Sequence, residues 1–297
     1  MGGVIGDTGG TYTLAHELGH QFGAHHTFNT TTGSCTGQRT SSTAWESGGG
    51  VTLMAYGTGC APDATADSGQ LRFHAGSFSE ITTYLGTTSC AATTATGNHV
   101  PLVSGGPDFN VPRNTPFALT ATGSDDDAGD VANLTYAWEQ LDAGGASYAN
   151  PPYSDASDPV NTTRPIFRAF SPTASPTRVF PSLSYILNNA NVPPATVNGF
   201  QTAENLPNVT RALNFRVTAR DQRGGVNYDA VQLSVSAVKL ISRLRDLRGV
   251  ERVPTGFFEG GLGASLVALE VMPELKSQCC HARNRFRNAC HVIMPPE

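Results

Sequence analysis

Along residues 11–27 the apolar side chains Leu14, Leu18 and Phe22 recur every four positions. That spacing predicts an amphipathic helix, with Thr11 or Thr13 as its N-cap and Gly23 as its terminator. Residues 28–53 interrupt the pattern with a polar, glycine-rich stretch, which is expected to be a long surface loop. The short apolar piece VTLMAYGTGC (51–60) runs into a turn, and GQLRFHAGSFSEITTYL (69–85) predicts a second helix. Cys90 to Gly97, rich in Thr and Ala, is expected to be a linker.

From His99 onward the apolar period changes to two. Leu134, Tyr136 and Trp138 fall on one face of LTYAWEQL, as do Leu213, Phe215 and Val217 in LNFRVTARD and Val231, Leu233 and Val235 in AVQLSVSAV. Turn sequences such as DDDAGD and DQRGG separate these runs, so an antiparallel β-sandwich is expected. The Pro- and Asn-rich segment 144–212 adds a large insertion or extended loops to it. The fold class is therefore α+β, divided into a helical unit over 1–97, a β-sandwich over 98–238 and an irregular tail over 239–297.

Composition sharpens the last boundary. Residues 1–238 hold 10 Arg, no Lys and 18 Asp+Glu, whereas 239–297 hold 9 Lys+Arg and 6 Asp+Glu, with Thr255 the only threonine. The tail reads either as a small helical appendage or as a stretch out of frame, and the abruptness of the change favours the second. Charged residues make up 14% of the chain and aromatics 8%, which with abundant Gly, Thr and Ser suits a secreted, loop-rich β protein. A net charge of -5 excludes neither fold but gives no reason for a nucleic-acid partner or an anionic membrane surface. No apolar run is long enough to span a bilayer, and a monomer is expected. The opening MGGVIGDTGG lacks the basic and apolar regions of a signal peptide, so the chain is expected to start downstream of one. Cys35, Cys60 and Cys90 are an odd number for the first part, and either Cys35–Cys60 or Cys60–Cys90 is an arguable pairing.

The chemistry concentrates in HELGHQFGAHH, residues 16–26. On a helix, positions four apart share a face, so His16 and His20 can turn both imidazoles to one ion. Zn²⁺ favours such nitrogens, and a catalytic site takes three protein ligands and leaves one position for water. Glu17, beside the first ligand, is placed to accept that water's proton. A straight helix cannot supply the third ligand. Gly23 tolerates positive φ and lets the chain double back, which brings in His26 and makes His25 a bystander. The whole stretch fits H-E-x-x-H-x-x-G-x-x-H. That motif calls for a methionine turn beneath the metal, and Met54 is the candidate. Tyr56, two residues on, either approaches the metal and donates to an oxyanion or is merely packed.

These residues resemble the metzincin zinc metallopeptidases, most of all the reprolysin-like secreted members, in AHELGHQFGAHHTFN and LMAYGTGC. The resemblance implies the C-terminal part of a metzincin catalytic domain, with zinc helix, Met-turn and second helix. It further implies His16, His20 and His26 as zinc ligands, Glu17 as general base, Tyr56 near the metal and Met54 in the turn. Residues 98–238 are similar to the cadherin- or PKD-like β-sandwich that follows such peptidases. Metzincins carry an N-terminal subdomain before the zinc helix, and here fifteen residues precede His16. The expectation is a partial peptidase unit with little or no proteolysis of its own, the full parent being active.

Weaker signals remain. Asp125, Asp126, Asp127 and Asp130 in SDDDAGD offer oxygen ligands for Ca²⁺, with Asp125, Asp127 and Asp130 the candidate set, although acidic turns are common without a metal. His74 is expected to pack or cap, and His99 carries no chemistry. The expected function is a secreted zinc endopeptidase hydrolysing peptide bonds of protein or peptide substrates through a zinc-bound water activated by Glu17. The alternative is a non-catalytic extracellular binding or adhesion module with a residual zinc site. A purely structural zinc is disfavoured, because three histidines leave the coordination shell open.

Overall fold

Gly23 ends the first helix. In the computed structural model, which describes residues 8–65, 69–90, 92–145 and 162–237, helix α1 spans Thr8–Gln21. Beyond it the Gly23 N–H donates to the His20 carbonyl and the Ala24 N–H to the Gly19 carbonyl, with Gly23 at φ 85°. This is a Schellman closure, which glycine makes without a Cβ penalty. The helix expected over 11–27 thus stops six residues sooner and is already helical at Thr8, so neither Thr11 nor Thr13 is its N-cap. The face it buries also differs from the one the apolar stripe marks. Leu14, Leu18 and Phe22 are 54%, 45% and 40% exposed, whereas His16 is buried.

Of residues 28–53, the stretch 31–42 lies mostly at the surface as expected, but the second half does not. Every residue from Glu46 to Ala55 is buried, and the organising group is the Glu46 carboxylate. It accepts from Thr27 Oγ1 at 2.7 Å, from the Val51 N–H at 2.8 Å, from the Thr52 N–H at 3.2 Å and from Thr52 Oγ1. A fully satisfied buried carboxylate holds together a stretch too poor in apolar side chains to build a hydrophobic core. A Cys35–Cys60 disulfide closes the same region, and Cys90 is free and exposed. Of the two pairings open in the sequence, Cys35–Cys60 is therefore the one formed.

Helix α2 spans Ala75–Thr87 rather than starting at residue 69. The residues before it bond to the segment around Met54. The Gln70 N–H donates to the Val51 carbonyl, and the Leu53 N–H donates to the Arg72 carbonyl. His74 then caps the helix, its Nδ1 accepting from the Gly76 N–H at 3.1 Å.

The β-rich region follows. Its strands are β1 (Leu102–Ser104), β2 (Phe109–Pro112), β3 (Phe117–Thr120), β4 (Thr122–Ser124), β5 (Thr135–Gln140), β6 (Thr177–Phe180), β7 (Thr196–Val197), β8 (Phe200–Gln201), β9 (Arg211–Arg220) and β10 (Val226–Ser236), with a short helix α3 at Leu183–Leu187. The main sheet has the order β2–β10–β9–β5, and β3 pairs with β6. The alternating residues seen in the sequence meet in one core. Leu134 and Trp138 of the β5 stretch, Leu213, Phe215 and Val217 of β9, and Val231, Leu233 and Val235 of β10 pack with Phe117, Phe167 and Phe180. The arrangement is not wholly antiparallel, because β10 pairs β2 in parallel. These strands stand at opposite ends of the region in sequence, so no hairpin imposes an antiparallel direction. The segment 144–212 supplies β6 to this core as well as loops. Overall the fold is α+β, as the apolar pattern predicts. The tail over 239–297, with Cys279, Cys280 and Cys290, lies outside the described residues.

Strand β5 is buried on both faces. Tyr136 and Trp138 point to the aromatic core, while Glu139 on the other face packs against the start of α2. Arg216 of β9 adds to this contact, its Nη1 donating to the Ala75 carbonyl at 2.9 Å.

Candidate metal centre

His16 and His20 share one face of α1, and the chain reversal at Gly23 returns His26 to the same point. One nitrogen from each ring lies within 4.8 Å of the other two. The second nitrogen of each is held by a backbone carbonyl. His16 Nδ1 bonds the Leu53 oxygen at 2.6 Å, His20 Nδ1 the Ala24 oxygen at 2.8 Å and His26 Nδ1 the Gln38 oxygen at 2.8 Å. A carbonyl only accepts, so every Nδ1 carries the proton and every Nε2 an outward lone pair. The 3.2 Å between His20 Nε2 and His26 Nε2 is therefore not a hydrogen bond. It is close to the separation of two nitrogens each about 2.0–2.1 Å from a tetrahedral Zn²⁺, about 3.4 Å. The donor set and its tautomers fit that ion.

The protonation states agree. Burial lowers the His16 and His26 imidazoles, the carbonyl bonds act the other way, and the neighbouring His20 adds to the lowering. Both rings are neutral at neutral pH, the form that binds a metal.

Glu17 is exposed and lines a cleft of about 330 Å³ with Tyr12, His16 and Tyr56. The Tyr56 ring lies 4.6 Å from that of His26 and 5.7 Å from that of His16. It also packs at 4.9 Å from Phe28, so this tyrosine is packed while still lining the cleft. Burial, then the Glu17 charge, raise its phenol above the usual range, which keeps it a hydrogen-bond donor.

Met54 is wholly buried directly against α1. A Cβ on Gly19 would run into Met54 Sδ and come within 2.8 Å of Phe73 Cε1. The glycine inside HELGH is thus what lets the methionine lie beneath the histidines. Next to it, Leu53 supplies the carbonyl that orients His16. The turn acts on the site through backbone as well as sulfur.

The remaining candidates separate cleanly. His25 is exposed and bonds Glu80 at 2.7 Å, away from the three ligands. His74 is the α2 cap. Asp125, Asp127 and Asp130 bring one carboxylate oxygen each within 4.8 Å of the others. Cations already approach this loop, with His99 Nδ1 at 2.9 Å from Asp127 and Arg223 Nε at 3.1 Å from Asp130. Glu46, the three anchoring carbonyls and Glu139 have no spacing signal in the sequence. Glu46 sits in what reads as a polar loop, and Glu139 alternates with core residues as a solvent-facing acid would.

Two histidines on a helix, a third brought to them by the turn at Gly23, an adjacent glutamate and a methionine packed below are features of zinc metallopeptidases. Residues 5–87 match the family model described as Metallo-peptidase family M12B Reprolysin-like. The segment carrying the site is thus a reprolysin-like metzincin segment, and the match takes in both helices and the Met54 turn. A search of curated proteins finds no match.

Proposed function

We propose that the chain is a zinc-dependent endopeptidase acting on protein or peptide substrates, with His16, His20 and His26 as ligands. The observation that carries this is the set of three Nε2 lone pairs, turned to one point by carbonyl-anchored Nδ1 atoms beside Glu17 and Tyr56. His16, His20 and His26 would hold a Zn²⁺, which would supply Lewis acidity for a scissile carbonyl and for the attacking water. Glu17 accepts a proton from the attacking water and delivers it to the leaving amine. Tyr56 donates a hydrogen bond to the substrate oxygen as it gains charge. Secretion is supported by the Cys35–Cys60 disulfide, which persists in oxidising compartments. The metal unit is assigned to 1–97 and a β-sandwich to 98–238. A calcium ion at Asp125, Asp127 and Asp130 is supported by the convergence of their carboxylates alone. Terbium luminescence titrated with calcium tests it, and a signal unchanged in Asp125→Asn removes it.

Zinc content and cleavage of a casein or peptide library, measured on the wild type and Glu17→Gln, test the main proposal. Retained zinc with cleavage lost in the variant supports an enzyme. Zinc without cleavage in the wild type favours a binding module instead.

A further inference from the structure

Glu139 projects from β5 away from Trp138 and is wholly buried where the β-rich region meets α2. Its Oε1 accepts from Arg72 Nη1 at 2.7 Å, and its Oε2 accepts from the N–H of Ala75, the first residue of α2, at 3.1 Å. The other donors of Arg72 are engaged too. Nε donates to Gln70 Oε1 at 2.8 Å and Nη2 to the Phe170 carbonyl at 2.7 Å, so the guanidinium is locked on three sides.

That lock reaches the metal centre through the backbone of Arg72. Its carbonyl accepts the Leu53 N–H at 2.9 Å, and the Leu53 carbonyl holds His16 Nδ1 at 2.6 Å. Four residues thus form a continuous bonded path from β5 to a metal-binding ring. Partners of this kind fix ring orientation and tautomer, and their loss weakens metal binding. A largely covered Arg72 deprived of its counter-charge is also left less well compensated, which favours its displacement. The contact between the main sheet and α2 does not depend on Glu139 alone, since Arg216 of the neighbouring strand β9 also bonds Ala75 and Ser79.

We propose that Glu139 is a positioning residue for the metal-binding histidines, acting through Arg72 and Leu53 on His16, so that the β-rich region is a working part of the metal centre. This rests on the zinc-site reading of His16, His20 and His26.

The test uses the full chain and measures zinc affinity by competition with a chromogenic chelator, well below the melting temperature of each variant. Glu139→Gln is expected to raise the zinc dissociation constant about tenfold. The control is Glu204→Gln. Glu204 is an equally buried acid of the same region that pairs with Arg178 at 3.0 Å, and its loss is expected to leave zinc affinity unchanged. Equal effects from both variants, or none from Glu139→Gln, overturn the proposal. Should Glu139→Gln not fold, Arg72→Lys keeps the charge but cannot hold Glu139, Gln70 and Phe170 together. Weaker zinc binding in that variant supports the path, and unchanged binding overturns it. A wild-type chain that binds no zinc overturns the zinc-site reading itself, and the proposal with it.

Discussion

His20 and His26 face each other through Nε2 atoms 3.2 Å apart, each with its other nitrogen committed to a backbone carbonyl. Two lone pairs at that distance repel, and His16 adds a third. The fold therefore holds a local repulsion that a divalent cation converts into attraction.

Zinc is accordingly expected to stabilise the chain, by about 2.7 kcal/mol at a hundredfold excess over its dissociation constant. Differential scanning fluorimetry with added zinc, then with a chelator, reads this as a reversible rise in Tm. His20→Ala and His26→Ala are expected to abolish the rise. His25→Ala should keep it, because His25 is exposed and bonded to Glu80.

Gly19→Ala should destabilise although alanine is the better helix former. The added methyl meets Met54 Sδ and lies 2.8 Å from Phe73 Cε1. Overpacking of this kind costs about 1–3 kcal/mol. A urea midpoint equal to or above the wild type would mean that Met54 moves aside freely.

Glu46→Gln tests the polar core around Met54. The amide keeps one acceptor oxygen but puts an NH2 in place of the other, so it faces either the Val51 and Thr52 N–H groups or the Thr27 and Thr52 hydroxyls, which donate to the native carboxylate, with a donor of its own. Leaving such donors unsatisfied costs about 1–3 kcal/mol. Chemical denaturation should show that loss, together with faster amide exchange at Val51 and Thr52.

Acid should weaken the contact between β5 and α2. Burial works to raise the Glu139 carboxyl, but Arg72 and then His74 outweigh it and hold the group below the usual range. A group depressed in the folded state stabilises above its unfolded pKa, about 4.3, and that contribution is lost as pH falls through the folded value. Urea midpoints followed from pH 7 to pH 3 should therefore fall less steeply in Glu139→Gln than in the wild type. Parallel profiles would assign the acid loss to other carboxylates.

What could be read in advance follows from how local each cause is. The histidine triad is local, since helical spacing and one glycine bring His16, His20 and His26 together within eleven residues. The β faces were legible because alternation at Leu213, Phe215 and Val217 is a core signal wherever the partner strand lies. The direction of Leu14, Leu18 and Phe22 was not. Their spacing marks a helix, but the inward-turned imidazoles of His16 and His20 and a close-packed glycine claimed that face instead. Glu46 and Glu139 were hidden for a common reason. A buried acid looks like a surface acid until its donors are known, and those donors come from residues up to 67 positions away in Arg72–Glu139.

The Cys35–Cys60 bridge carries a consequence for where the metal can be kept. Gln38, whose carbonyl orients His26, lies three residues past Cys35, and Tyr56 lies four residues before Cys60. Both belong to the ring that the bridge closes, a loop whose closure is worth about 3 kcal/mol. Reduction would free the segment that aims the third ligand while leaving α1, and with it His16 and His20, in place. If the three histidines hold a metal as proposed, its retention is expected to depend on the oxidising character of the surroundings, with a reductant opening the site from the His26 side first.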